Sequence, residues 1–373
     1  LKKYYPEDFI AATMSTELSN TDKLREFAQE LKRLNIEIIR PSINNCYGDF
    51  KTEKNKIYYA LSGIKSVGYE AISNVVRERE KNGSFKSLGE FIKRVNPKDI
   101  NKLQLEGLVK AGAFDELCKS RSSLFNSIPK LIQTNKNFWE EKNSMQNNLF
   151  QENSEKNIEI FNLEKSKEWT KNETLMNEFH SIGFYMSDHP LKDYEKYLRE
   201  SKIVSFDEFI NGNDNNGIVA GTIMSIQEKK SIKGNPFAII KFSDLKGEFE
   251  LFLFSDLLVK NRGQLQAANS FALTLQKDSS HDVSATRRIN VRNIVDIKDL
   301  INAVHEKVTI EIKEKSDFSQ LKDILKENGK TKVKIRIGSK SKNYTFELKS
   351  PRKFNFKTFS AIKDKEFIKK ISF

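Results

Sequence analysis

Apolar positions along the chain fall into helical spacing up to about residue 216 and into alternating, strand-like spacing beyond it. Pro6 starts a helix, and Asn20-Thr21-Asp22 supplies the cap for a second one carrying Leu24, Phe27, Ala28, Leu31 and Leu34. Ile36–Ile39 reads as a short strand ended by Pro41. Ile57–Ala60 is extended and leads into Gly63-Ile-Lys-Ser-Val-Gly68, after which Ala71, Ile72, Val75 and Val76 recur at helical spacing. Gly83-Ser84-Phe85 breaks the chain; Leu103, Leu105, Leu108 and Val109 then form an apolar stripe, closed by the turn Ala111-Gly112-Ala113. From about Asn135 to Asn162, Asn, Gln, Glu and Ser dominate and predict an exposed linker. Glu173 to Leu198 is helical at both ends.

Five strands are predicted next: Ile218–Ile226, Phe237–Ser243, Phe249–Phe254, Phe271–Gln276 and Ile289–Asp296. A Gln- and Ala-rich stretch between the third and fourth suits a helix. On the third, Phe249, Leu251 and Leu253 share one face and Phe252 and Phe254 the other, so burial on both sides is expected. Further on come a strand at Val308–Ile312 and a helix capped by Ser316, with Phe318, Leu321, Ile324 and Leu325 along it and Gly329 past its end. A hairpin of Val333–Ile337 and Tyr344–Leu348 around Ser339–Lys342 follows, then a last helix ending near Lys370.

The two glycine turns in tandem resemble a double helix-hairpin-helix, a module that grips the DNA backbone without reading sequence. Gly63 and Gly68 would let the first turn take tight or left-handed conformations. Free N–H groups at the start of the following helix, with Lys65 beside them, form an anion site. Ile64, Lys65, Ser66 and Val67 make up that turn, and Lys110 and Gly112 stand at the second. Ser66 occupies the place before Val-Gly where the family usually carries glycine or a small polar residue. An ordinary helix start after a glycine loop has the same pattern.

The five strands with a helix after the third resemble an OB barrel. Such barrels stack single-stranded bases on aromatics along a basic groove. Lys229, Lys230 and Lys233 in the first loop, with Phe237 and Lys241 on a shared face, are the candidates. A barrel serving as a spacer is the alternative. The expected architecture is multidomain α plus β. A helical region spans 1–50, a tandem helix-hairpin-helix 51–118, and a linker with helices 119–216. An OB-type barrel over 217–297 and a small α+β domain over 298–373 complete it.

Charge sharpens this division. The 373 residues, enough for two or three domains, carry a formal net charge of +13. From residue 298 onward there are 20 Lys/Arg against 10 Asp/Glu, and over 51–118 there are 13 against 9. Over 119–216 the balance reverses, 13 against 16. That unevenness fits separate nucleic-acid and protein contacts, although the excess of Lys over Arg also fits plain composition bias. Cys46 and Cys118 sit in no metal or redox spacing. No apolar run reaches membrane-spanning length and no charged-then-apolar leader opens the chain, so a soluble cytoplasmic protein is expected. The chain opens on Leu1 within a helical region, as a piece of a longer protein would.

Catalytic chemistry is missing from the pattern. There is no Asp-x-Asp pair on a clear strand for two-metal phosphoryl transfer, no Walker-type loop and no nucleophile elbow. His180, His189, His281 and His305 are scattered, and His189 before Pro190 reads as structural. No catalytic residue, metal ligand or cofactor is assigned. In the polar linker, Gln146-Asn-Asn-Leu-Phe150 sets two large apolar residues where there is no core to fill. Such a segment docks in a hydrophobic pocket of a partner, or packs on a neighbouring helix.

In order, Lys2-Lys-Tyr-Tyr-Pro-Glu-Asp-Phe-Ile-Ala-Ala, Asn20-Thr-Asp-Lys, Gly63-Ile-Lys-Ser-Val-Gly68, Leu108-Val-Lys-Ala-Gly-Ala-Phe-Asp115, Gln146-Asn-Asn-Leu-Phe150 and Ile182-Gly-Phe-Tyr-Met-Ser-Asp-His-Pro-Leu191 resemble the C-terminal half of the bacterial C-family replicative polymerases, the DNA polymerase III alpha subunits. The likeness is strong to about residue 255 and weak beyond 300. It implies that 1–50 is the end of the fingers and that Gln146, Leu149 and Phe150 dock on the sliding clamp (beta subunit). It implies that the barrel sits near the single-stranded template, and that the terminal domain is the region that meets the clamp-loader tau subunit in some members. The palm, with its aspartates and Mg2+, would precede Leu1, so this segment alone is expected to be inactive. Double- and single-stranded DNA are the expected nucleic-acid partners. A stand-alone adapter with hairpins and a barrel, or an RNA-binding protein using the barrel for tRNA, are the alternatives.

Overall fold

The computed structural model describes residues 2–144, 161–278, 289–313, 319–338 and 343–373. Gln146, Leu149, Phe150, His281, Ser316, Phe318 and the Ser339–Lys342 turn lie outside the described residues. The chain divides into two compact units, 1–188 and 189–373.

The first unit opens with α1 (Pro6–Thr16) and α2 (Thr21–Arg33), the latter capped as expected by Asn20, whose Oδ1 accepts from Lys23 N at 3.2 Å. Strands β1 (Glu37–Ile39), β2 (Lys51–Glu53) and β3 (Lys56–Tyr58) form a small sheet in the order β1-β3-β2. The β1–β3 pair is parallel and ties the segment before residue 50 to the segment after it. After a 3-10 turn at Leu61–Gly63 come α3 (Tyr69–Asn82), α4 (Leu88–Arg94), α5 (Lys102–Lys110), α6 (Arg121–Asn126), α7 (Ile128–Ser144) and α8 (Lys171–Ile182). Helix α7 runs to Ser144, so the helical structure reaches well into the stretch expected to be linker from Asn135. Asn135 is buried there and donates to the carbonyls of Ile92 (2.7 Å) and Val95 (2.8 Å), satisfying the end of α4. Of the expected stripe on α5, Leu105, Leu108 and Val109 are buried but Leu103 is 62% exposed. Leu103 lies in the first turn of α5, off the buried face.

Core packing in this unit is aromatic. Tyr59 is fully buried, edge-on to Phe50 at 5.1 Å, and Phe91 stands between Phe85 and Phe114 at 5.3 and 5.1 Å. Arg79 is also buried, donating to the carbonyls of Ile43 and Cys46 at 2.8 and 2.7 Å. A buried guanidinium is tolerated because those carbonyls replace water.

The second unit begins with α9 (Glu195–Glu200) and α10 (Phe206–Asn211). His189 lies in a structural setting, with Nε2 3.0 Å from Ser243 Oγ and Nδ1 accepting from Leu191 N. Then come β4 (Asn216–Lys230), β5 (Pro236–Ser243), β6 (Glu248–Phe254), β7 (Ser270–Lys277) and β8 (Ile289–Asp296). They form one antiparallel sheet in the order β6-β5-β4-β7-β8. No hydrogen-bonded ladder joins β6 to β8 among the described residues, so a closed barrel is not formed. The helix after the third strand is α11 (Ser255–Asn261), immediately after β6, and the Gln- and Ala-rich stretch behind it is not helical. Leu258 of α11 enters the core, whereas Gln264–Ala268 offers only Leu265 to bury. The sheet core collects Val219, Ile223, Ile240, Phe242, Phe249, Leu251, Leu253, Phe271 and Leu273. The opposite face of β6 is not buried as expected: Phe252 is 44% and Phe254 60% exposed.

The last part has α12 (Ile297–Asn302), β9 (Lys307–Ile312), α13 (Gln320–Ile324), β10 (Asn328–Gly338), β11 (Asn343–Glu347), α14 (Phe356–Ile362) and β12 (Ile368–Ser372). The sheet order is β11-β10-β9-β12, with β9 and β10 parallel. The chain end is a strand and not the expected helix: β12 pairs antiparallel with β9, placing Ile371 opposite Ile310. Joining the sheet gives its backbone groups partners and buries Ile371. Gly329 is not a helix stop. It lies in β10 where a Cβ would meet the backbone of Lys353 at 2.4 Å.

Candidate nucleic-acid interface

The first glycine turn is built differently from its sequence expectation. Gly63 ends the 3-10 turn and Gly68 has φ −78° and ψ 139°, so neither is left-handed. Ser66 takes that role, with φ +68°. A serine there costs about 1–2 kcal/mol relative to a right-handed conformation. The turn is held from below by Ile64 and Val67, both buried, which makes them anchors and not surface contacts. Lys65, Ser66 and Gly68 are exposed. Lys65 N–H donates to Ser181 O at 2.9 Å, so that donor is spent inside the protein. Helix α3 starts without a side-chain cap at Gly68, leaving its first-turn N–H groups open to solvent or to an anion. Glu70, in that same first turn, opposes a phosphate.

The second turn is closed on itself. Ala113 N–H donates to Leu108 O (2.9 Å) and Gly112 N–H to Val109 O (3.0 Å), with Gly112 at φ +82°. This is a Schellman ending of α5. A Cβ on Gly112 would fall 2.2 Å from Arg121 Nη2, because the Arg121 guanidinium lies across the turn, paired with Asp115 and donating to Lys110 O. Gly112 therefore contributes shape, and its N–H is already bonded.

What α5 does for the first turn is direct. A Cβ on Gly107 would sit 2.7 Å from Lys65 O, so the turn's backbone rests on the helix at the one residue without a side chain. Helix α5 also packs on α8, the helix that supplies Ser181 and His180. Burial, and then the charges of Lys65 and Lys110, hold the His180 pKa below the usual imidazole value. Lys65, Lys110 and His180 thus lie within one electrostatic neighbourhood. The ammonium of Lys110 also stands 5.1 Å from the Phe125 ring. The sequence pattern marks both lysines but not His180; Gly107, inside an otherwise apolar helical stripe, is the one signal of close packing.

In the second unit the register sets Lys229, Phe237 and Phe254 side by side, and Gln227, Ile239 and Phe252 in the next row. Phe237 is half-buried and lies 6.5 Å from both Phe252 and Phe254, ring centre to ring centre. Lys229, Lys230 and Lys233 are exposed around the β4–β5 turn, whose tip is Gly234 at φ +80°. Lys241 pairs with Glu248 at 3.3 Å, so its charge is partly engaged. The exposed Phe252 and Phe254 were not among the expected site residues. Their alternation with Phe249, Leu251 and Leu253 fixes a second face, and only the sheet decides that this face is open.

Among the described residues no helix is long and apolar enough to cross a membrane, and no cluster of His, Cys, Asp and Glu is set to hold a metal ion. A family model described as a helix-hairpin-helix motif matches residues 35–124, the stretch that contains both turns. The chain is 29% identical to the DNA polymerase III subunit alpha of Borreliella burgdorferi over 91% of its own length and 31% of the relative's. It is 32% identical to that of Caulobacter vibrioides over 74% of the chain and 24% of the relative, and 30% identical to that of Rickettsia bellii over 96% and 33%. The chain therefore spans between a quarter and a third of these curated relatives. With its helix-hairpin-helix region and relatives of one name along most of its length, the chain belongs to the DNA polymerase III alpha-subunit family.

Proposed function

We propose that this chain is the DNA-holding, clamp-tethering C-terminal segment of a replicative DNA-directed DNA polymerase catalytic subunit, acting in the cytoplasm. The observation that carries the reading is the exposed Lys65–Ser66 turn at the uncapped start of α3, with Lys110 and His180 in its electrostatic neighbourhood. Phosphate contacts of this kind hold any duplex and permit sliding, because they read no base. In the second unit the five-stranded order β6-β5-β4-β7-β8 supports an OB-type reading. Its second and third strands carry the open aromatic face of Phe237, Phe252 and Phe254, suited to stacking the bases of a single-stranded template. Gln146, Leu149 and Phe150 would tether the segment to the sliding clamp and raise its effective concentration on DNA. The region 298–373 would meet the clamp-loader tau subunit. Nucleotidyl transfer, with Mg2+, would belong to the palm of the whole subunit, so primer extension by this segment alone should be nil.

The test is a salt titration of duplex binding. Replacing Lys65 and Lys110 together by Ala should reduce the slope of log K against log salt by about 1.8, from two lost phosphate contacts at ~0.9 each. An unchanged slope refutes the phosphate reading of the turn. Changing Gln146, Leu149 and Phe150 together to Ala should abolish capture by the clamp and leave DNA affinity intact; a clamp pull-down that survives refutes the tether.

A further inference from the structure

We propose that the solvent-facing side of the sheet formed by β9, β10, β11 and β12 is a second duplex-DNA surface, contacting phosphates without reading sequence. The alternation along these strands sends Val308, Ile310, Ile312, Val333, Ile335 and Ile371 into the core with the helices. The intervening residues form the other side. Along the ladder, Lys332 stands opposite Lys307, Lys334 between Thr309 and Glu347, and Arg336 between Glu311 and Thr345. Beyond β9, Lys370 stands opposite Glu311 and Ser372 opposite Thr309.

Two of the cations are neutralised in place, Lys334 by Glu347 at 3.0 Å and Arg336 by Glu311 at 3.1 Å. Lys307, Lys332 and Lys370 are exposed and form no ion pair among the described residues. Glu200 of α9 borders this face near Lys370. Glu347, opposite Lys334, lies in the field of Lys332 and Lys307 as well, so the two like charges that stand opposite each other share one carboxylate. Among the described residues of these strands no aromatic ring lies on this side: Tyr344 and Phe346 stand opposite Ile337 and Ile335, in the rows of the other face, where the edge strand β11 leaves them 53% and 55% exposed. Cations and hydroxyls without rings suit phosphate oxygens and not base stacking. The exposed contacts are therefore Lys307 and Lys332, side by side on neighbouring strands, and Lys370 across β9 from them.

The experiment uses the full chain and a random-sequence 20-base-pair duplex. The triple variant K307A/K332A/K370A removes three exposed contacts. At ~0.9 per contact its salt slope should fall by about 2.7. Equivalently, the affinity lost between 50 and 200 mM salt should be about 40-fold smaller than for the unsubstituted chain. The effect should be equal on duplexes of unrelated sequence. A charge-matched control, K322A/K326A/K357A, takes three lysines from the helical side of the same sheet and should leave the slope unchanged. Thermal melting of both variants should match the unsubstituted chain, since all six side chains are exposed. An unchanged slope in the first variant, or equal slopes in the two, overturns the proposal. The first outcome assigns the face to an acidic protein partner or to solvent, the second to net charge alone. Lys65 and Lys110 are untouched in both, so the failure of this surface and the failure of the first turn are read separately.

Discussion

Gly107→Ala is the sharpest probe of the first turn, because two effects of opposite sign compete at that residue. In a free helix the change should stabilise by about 1 kcal/mol, the difference in helix propensity. Here the added Cβ would lie 2.7 Å from Lys65 O, and the obstacle is backbone, not the end of a flexible side chain. Carbon and oxygen must separate by roughly half an ångström, and overpacking of this kind costs about 1–3 kcal/mol. The expected net result is destabilisation by up to about 2 kcal/mol, the reverse of the propensity effect. The assay is convenient: both tryptophans, Trp139 and Trp169, lie in the first unit, so fluorescence during urea unfolding reports that unit alone. The displaced turn should also weaken duplex binding. Gly68→Ala is the control, since a Cβ there meets only Gln104 Nε2 at an ordinary 3.4 Å. If Gly107→Ala raises the urea midpoint and leaves DNA affinity unchanged, the turn does not rest on α5 as described.

Three further outcomes are expected. Ser66→Gly should stabilise the first unit by up to about 1 kcal/mol, the left-handed cost of serine less the added chain entropy of glycine; a lowered urea midpoint would contradict this. His180 has a folded-state pKa below the usual value, so the unfolded chain binds that proton more readily, and its contribution to stability is full above about pH 6.5 and is lost as pH falls from there toward the lower folded value. A bound phosphate favours the imidazolium, so duplex affinity should rise over the same pH range, and His180→Ala should flatten the binding profile measured by anisotropy. Phe252→Ala and Phe254→Ala should each cost about 1–3 kcal/mol in single-strand affinity while shifting stability by less than about 0.5 kcal/mol, because both rings are largely exposed; loss of folding in either would place the rings in the core.

Much of the fold could be read from local pattern. The Asn20 cap and the strand before Pro41 are set by short-range chemistry that tertiary contacts did not overturn. So are the left-handed Gly112 ending of α5 and the five strands between 216 and 296. Misreadings fell where an element's fate depends on distant partners. Ile368–Ser372 carries residues that serve a helix or a strand equally, and β9, more than fifty residues earlier, decided for strand. Asn135 reads as linker until the open carbonyls at the end of α4 are seen beside it.

The candidate site divides in the same way. The sequence by itself determined that two basic, glycine-bearing turns lie in tandem, that aromatics alternate on the third strand of the sheet, and that charge accumulates after residue 298. Those features are properties of composition and spacing. Only the tertiary structure decided how each turn's backbone is engaged, since that depends on Ser181 taking the Lys65 N–H and on Arg121 lying across the second turn, both from elsewhere in the chain. It alone drew His180 toward Lys65 and Lys110, and left Phe252 and Phe254 uncovered. The physical reason is that a backbone donor or an apolar face is available only if nothing else in the fold satisfies it, and the candidates for satisfying it are neighbours in space.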